Sequence, residues 1–300
     1  MKCTCCKAEK WTTDNIGNLK GKNVVITGGN SGIGFYAALE LGRAGAHVVI
    51  ACRDSARAES ALAQLQSQAS HASFELELLD LTDLISIRLF AERYLSTNRS
   101  LDILVNNAGI MALPQRELTS DGFEAQFGTN HLGHFALTGL LLPALKRSDS
   151  PRVVTVSSGV ANMKMAKIDM HNLQSEASYE PMETYAQSKL ANLAFMLELG
   201  RRYDWLTSVA AHPGGARTNL QKHKYRYLIK FLGQHAAKGA LPTIRAATEP
   251  VRTGTYYGPR CLQLWGVPVE VPLPEKAQNA TINASLWEES ARLTKVRYHC

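Results

Sequence analysis

The chain has 300 residues, 45% apolar and 20% charged, enough to bury a full core and better suited to one α/β domain than to two small ones. Its net charge of +7 would suit an anionic partner, but the basic residues are scattered and no nucleic-acid motif accompanies them, so a phosphate-rich cofactor is explanation enough. No stretch approaches the ~18 consecutive apolar residues of a membrane span and the N-terminus lacks the apolar core of a signal peptide, so a soluble cytoplasmic protein is expected.

Residues 1–20 are polar and aperiodic and are expected to form an arm, with Trp11 packed back on the body formed by residues 21–300. Cys3, Cys5 and Cys6 crowd this arm while Cys52, Cys261 and Cys300 lie far apart, which is no disulfide framework. Three thiols so close together fall short of the four openly spaced ligands of a zinc site; metal binding, acylation or a reduced extension remain open readings.

A β-branched run over 22–27 leads into Thr27-Gly28-Gly29-Asn30-Ser31-Gly32-Ile33-Gly34 and then a helical pattern through Phe35, Ala38, Leu39 and Leu41. Glycines let a pyrophosphate approach the main chain, and the amides opening a helix point at its charge, so this strand–turn–helix reads as a nucleotide-binding turn. The alternation continues with a strand over His47–Ala51, a helix over 55–68, a strand over Phe74–Leu79 and a helix over 83–95. Two further strands, Leu101–Val105 and Val153–Val156, end at Asn106-Asn107-Ala108-Gly109 and at Ser157-Ser158-Gly159. Repeated βα units predict a doubly wound parallel sheet, the Rossmann arrangement, with ligands at the carboxyl ends of its strands.

Between those strands, Phe127–Leu145 predicts one long helix with Leu132, Phe135, Ala136 and Leu140 on its buried side. His131 and His134 interrupt it; they lack a third metal ligand, so packing or surface placement is expected and no metal site. Residues 159–183 read as a polar, methionine-containing insertion that could flap over an active site. The helix that follows carries Tyr185 and Lys189, which at i and i+4 share a face. A nearby ammonium can stabilise a phenolate that otherwise forms only near pH ~10, making the pair a candidate acid–base device. A strand over Ser208–Ala211 breaks at His212-Pro213-Gly214-Gly215-Ala216-Arg217-Thr218, and a second insertion is expected over 213–240. Within it, Lys222 to Leu232 mixes basic and apolar residues and would suit peripheral membrane contact, a lid or a solvated helix. A last helix is expected to hold Trp287 and Leu293 and to cap the site or an interface.

The glycine turn, Asn106-Asn107-Ala108-Gly109, Ser158 and the Tyr185/Lys189 pair occur in the order and spacing of the classical short-chain dehydrogenase/reductase family, which the chain resembles from residue 21 to about residue 260. Asn130-His131-Leu132-Gly133-His134-Phe135, Ala51-Cys52-Arg53-Asp54 and the long gap from Ser158 to Tyr185 resemble its retinol dehydrogenase and WW-domain oxidoreductase branch. The resemblance implies that Tyr185 exchanges a proton with the substrate oxygen, Lys189 lowers its pKa and holds the ribose, Ser158 orients the carbonyl or alcohol, and Asn130 completes a water-linked proton relay.

It also implies that Gly28, Asn30, Ser31, Gly32, Ile33 and Gly34 surround the pyrophosphate and ribose. Asp80 with Leu81 would meet the adenine, Asn107 with Ala108 and Gly109 the adenosine ribose region, and Thr218 with Pro213 and Gly214 the nicotinamide end. After the second strand Arg53 suits a 2′-phosphate, which favours NADP(H) over NAD(H). Asp54, roughly 20 residues past the glycine turn, is the competing ribose ligand, or else the cap of the next helix. The resulting expectation is an NADP-dependent oxidoreductase of an apolar carbonyl or alcohol, running toward reduction. The competing readings are an NAD-dependent alcohol dehydrogenase, a sugar-nucleotide epimerase or dehydratase, and a dinucleotide-binding regulator without turnover. Family members often pair through the helix bearing Tyr185, so a homodimer is a further expectation.

Overall fold

A computed structural model describes residues 11–216 and 233–298. Its centre is an eight-stranded sheet in the order β3-β2-β1-β4-β5-β6-β7-β8. The strands are β1 (Asn23–Thr27), β2 (His47–Cys52), β3 (Ser73–Leu78), β4 (Ile103–Asn106), β5 (Arg152–Val156), β6 (Thr207–Ala211), β7 (Tyr256–Cys261) and β8 (Trp265–Glu270). Val24 lies in register with Val48 on one side and Ile103 on the other, so β1 is central and the order reverses beside it. That reversal opens a crevice at the carboxyl ends of β1 and β4, where the glycine turn and Asn107 sit.

Strands buried on both faces read as continuous apolar runs, and here each run sorts its side chains between two cores. Val24, Ile26, Val48, Ile50, Val105 and Val154 face α1 (Gly32–Arg43), α2 (Ser55–Gln68) and, further along the chain, the helix over Ala236–Thr248. Val25, Val49, Leu104 and Val153 face α3 (Leu84–Ser96) and three later helices. Those are α5 (Gly133–Leu145), α6 (Pro181–Arg202) and α8 (Ala280–Thr294). The short α4 (Ala125–Phe127) precedes α5, and the helix over Ala236–Thr248 is α7.

Three elements differ from the sequence expectation. The sheet is not wholly parallel, because β8 returns antiparallel to β7 in a hairpin whose turn puts Leu262 and Gln263 at positive φ. The helix expected over Phe127–Leu145 is divided, with a π-helical turn over Gly128–Leu132 between α4 and α5. α7 was not foreseen, and neither was the hairpin. Leu140 is only partly buried, whereas His131 and His134 are both core residues.

Between β5 and α6, residues 159–180 hold a 3-10 turn, Gly159–Asn162, and are tied down by Arg116 donating to the Gln174 carbonyl at 2.9 Å and Tyr179 donating to the Leu113 carbonyl at 2.7 Å, while α6 begins at Pro181, inside the insertion expected to run to 183. Cys3, Cys5, Cys6, Cys300, Arg217, Thr218 and the stretch 222–232 lie outside the described residues. Among the described residues no helix is long and apolar enough to cross a membrane. Trp11 is only 7% exposed and packs into the core shared by α1 and α7, with Ile16 and Leu19 partly buried beside it. Trp11→Ala is therefore expected to cost about 3 kcal/mol of stability, read as a lower urea midpoint with an unchanged slope.

Candidate active site

The cradle begins where β1 ends. Gly28 and Gly32 adopt φ of +67° and +55°, and a Cβ at Gly34 would sit 2.4 Å from the Gly28 carbonyl, so side chains are excluded at these three positions of the turn. α1 starts at once after it, and the Ser31 hydroxyl makes no capping bond to that helix. From β4, Asn107 Nδ2 donates to the Thr27 carbonyl at 2.7 Å, and the Asn107 and Ala108 amides donate to Thr27 Oγ1 at 2.9 Å each. The Asp80 carboxylate accepts the Thr82 amide and hydroxyl, which fixes it at the end of β3.

These groups line one cavity of about 520 Å³ that runs from Arg53 past the glycine turn to Tyr185 and Lys189. Gly28, Asn30, Ser31, Gly32, Ile33, Gly34, Arg53, Asp80, Leu81, Asn107, Ala108, Gly109 and Pro213 all lie on its wall; Gly214 does not, because its main chain is turned toward the β7–β8 hairpin. The Asp54 carboxylate accepts the Arg57 amide at 3.1 Å and pairs with Arg57 Nε at 3.1 Å, so it caps α2. Arg57 brings a second guanidinium to the wall beside Arg53. It was missed in the sequence, where only its position one helical turn past Asp54 pointed to it. Burial, with Asp54 nearby, pushes the Cys52 thiol up to about 11, so this wall carries no thiolate. The glycine-rich turn, the helix N-terminus above it and the two guanidiniums at the far end fit a pyridine dinucleotide.

At the other end α6 places Tyr185 and Lys189 side by side, 4% and 3% exposed, with Lys189 Nζ 5.9 Å from the phenol ring centre. Lys189 Nζ donates to the Val156 carbonyl at 3.2 Å. The two adjacent serines divide the work. Ser157 is buried and donates to the Lys189 carbonyl at 2.7 Å, whereas the half-buried Ser158 reaches the Tyr185 phenol and caps the 3-10 turn through the Val160 amide. Asn130 lies in the π turn behind Gly109. Its Oδ1 accepts the Ile110 amide at 2.8 Å, and its Nδ2 donates to the Ile110 carbonyl and to Ser188 Oγ, both at 2.9 Å. Asn130 and Ser158 thus stand next to the pair without lining the large cavity.

The electrostatics depart from the expected lowering of the phenol by Lys189. Burial pushes Tyr185 up to about 12, the Ser158 hydrogen bond opposing it, and burial pulls Lys189 down to about 8. Loss of hydration is the largest cause of both shifts. At neutral pH the site therefore presents a protonated phenol beside an ammonium, an arrangement that can give a proton to an oxygen gaining negative charge. Among the described residues, no three His, Cys, Asp or Glu side chains converge on a metal position.

A dinucleotide crevice with a Ser, Tyr and Lys at its inner end defines a nicotinamide-dependent oxidoreductase. The family model for short chain dehydrogenases matches residues 22–227. The chain is 41% identical to human retinol dehydrogenase 12 over 292 residues, covering 93% of this chain and 88% of that one. It is 45% identical to mouse retinol dehydrogenase 14 over 298 residues, covering 91% and 86%. A crystal structure of an uncharacterised protein from Mycobacterium paratuberculosis superposes with a TM-score of 0.83 at 39% identity, covering 97% of this chain and all of that one. The chain belongs to the short-chain dehydrogenase/reductase family, in its retinol dehydrogenase-like branch, and is an NAD(P)-dependent oxidoreductase acting on CH–OH groups.

The charge on Lys189 is present below its pKa of about 8 and lost above it. Affinity for the anionic dinucleotide is accordingly expected to fall as pH rises from about 7 to about 9, and Lys189→Arg, which stays charged, to flatten that limb of a fluorescence titration.

Proposed function

We propose that this chain is an NADP-dependent oxidoreductase of an apolar aldehyde, ketone or alcohol, working toward reduction, with Tyr185 as its general acid. The observation that carries the reading is the two-ended cavity. One end has Arg53 and Arg57 and an Asp54 already engaged in capping α2; the other has the buried Tyr185–Lys189 pair. A 2′-phosphate would meet guanidinium there, and no free carboxylate would stand ready for an unmodified ribose. Gly28 to Gly34 would hold the pyrophosphate, Asp80 and Leu81 the adenine, Asn107 to Gly109 the adenosine ribose region, and Lys189 the ribose beside Tyr185. The bound dinucleotide supplies the hydride.

The protein's own part is to orient the substrate oxygen and control its proton. Ser158 donates to that oxygen, and Tyr185, protonated because it is buried, delivers the proton as charge develops. Lys189, cationic below about pH 8, stabilises the phenolate left behind. Asn130 holds Ile110 and Ser188, and through Ser188 Oγ, which donates to the Tyr185 carbonyl at 2.8 Å, the main chain at the acid itself. Ile110, Met111 and Leu113 give the cavity wall an apolar stretch. An apolar substrate is also supported by relatives named for retinol.

Tyr185→Phe is expected to cut turnover by about 10²–10⁴-fold while leaving NADPH binding within a few-fold of the parent. Retention of full turnover would remove Tyr185 from the chemistry. Arg53→Ala is expected to weaken NADPH by about 10- to 100-fold in a fluorescence titration and NADH far less, as the loss of a charge-assisted hydrogen bond implies. Equal weakening of both, or tighter binding of NADH by the parent protein, would overturn the NADP assignment.

A further inference from the structure

His134 lies on α5 one turn beyond Asn130, is 1% exposed, and does not line the cavity. Its Nδ1 is 2.9 Å from the Asn130 carbonyl and its Nε2 is 2.8 Å from Thr27 Oγ1. A carbonyl oxygen can only accept, so Nδ1 carries the proton and donates. Burial holds the imidazole neutral by pulling its pKa down to about 4, which leaves Nε2 as an acceptor. Thr27 must then donate its one hydroxyl proton to His134, because the other acceptor in range, the Val105 carbonyl, is at 3.4 Å. Both oxygen lone pairs of Thr27 remain for the Asn107 and Ala108 amides, at 2.9 Å each. Every polar atom in this chain of bonds has a partner, and each proton has one direction.

We propose that His134, fixed as the Nδ1–H tautomer, is a positioning residue that ties the π turn carrying Asn130 to Thr27, the residue that opens the glycine turn. One buried imidazole thereby sets the geometry of two places at once. Through Thr27 it fixes the Asn107 and Ala108 amides on the cavity wall, and through the Asn130 main chain it fixes the side chain that holds Ile110 and Ser188 beside Tyr185. The inference rests on reading Gly28 to Gly34 and Asn107 to Gly109 as the dinucleotide cradle. Buried networks of this kind specify one geometry when fully satisfied and lose it when one member is removed.

The test combines imidazole ¹⁵N spectroscopy with NADPH titrations of the full chain. The His134 signal, assigned by its loss in His134→Asn, is expected to show a neutral ring protonated at Nδ1. A ring protonated at Nε2 would overturn the proposal. Asparagine at 134 is too short to reach Thr27, and Thr27→Val removes the same bond from the other side together with the acceptor of the Asn107 and Ala108 amides. His134→Asn is expected to bind NADPH about 3- to 10-fold more weakly, the worth of one buried hydrogen bond, Thr27→Val more weakly still because two amides also lose their acceptor, and the double variant no more weakly than Thr27→Val alone. Thr27→Ser, which keeps the hydroxyl, is expected to recover most of the affinity lost in Thr27→Val. Losses that multiply in the double variant, or singles that bind NADPH like the parent while only their melting temperatures fall, would refute the coupling. If the parent bound no dinucleotide, the cofactor reading would fail, while the tautomer would still decide the state of His134.

Discussion

Burying the Lys189 ammonium is the constraint on which the rest of the site depends. A charged group taken out of water is tolerated only where fixed dipoles replace its hydration. The carboxyl end of β5 supplies one, the Val156 carbonyl, and Asn192 donates to that same carbonyl at 3.1 Å and holds it in place. Gly109 has no side chain where a Cβ would come within 3.4 Å of Lys189 Nζ and 2.9 Å of Asn130 Oδ1, so the loop after β4 can close over both. Val156, Asn192 and the side-chain-free Gly109 thus together accommodate one cation.

The same burial decides the state of Tyr185. A phenol next to an ammonium invites the reading that the pair favours phenolate, yet the desolvated ring holds its proton. Burial thus favours the protonated phenol over the phenolate.

Much of this was legible in the sequence because the signals were local. The helix over 55–68 has the bounds expected from its pattern, and Asp54 is the cap that its place before that helix suggested. The β7–β8 hairpin was not legible: Tyr256-Tyr257-Gly258-Pro259 reads as loop, and its turn uses Leu262 and Gln263 at positive φ where Asn-Gly would have advertised it. The π turn was hidden because a single extra residue leaves the apolar pattern of 127–145 nearly unchanged. His134 gave no sign of its partner, since Thr27 lies 107 positions away and only the sheet brings them together. Tyr185 was misjudged electrostatically for a related reason. Spacing shows which groups are near each other, and the balance between attraction and lost hydration depends on burial.

The sheet order has one more consequence, for how copies of this chain meet each other. An open strand edge is a template for further strands and so for aggregation. At one end β3 carries Glu75 and Glu77, engaged by Arg99 and Arg93, so that edge is charged. At the other, the antiparallel β8 contains Pro268, which has no N–H to offer, paired against Pro259. Both margins thus carry features that disfavour the addition of a ninth strand.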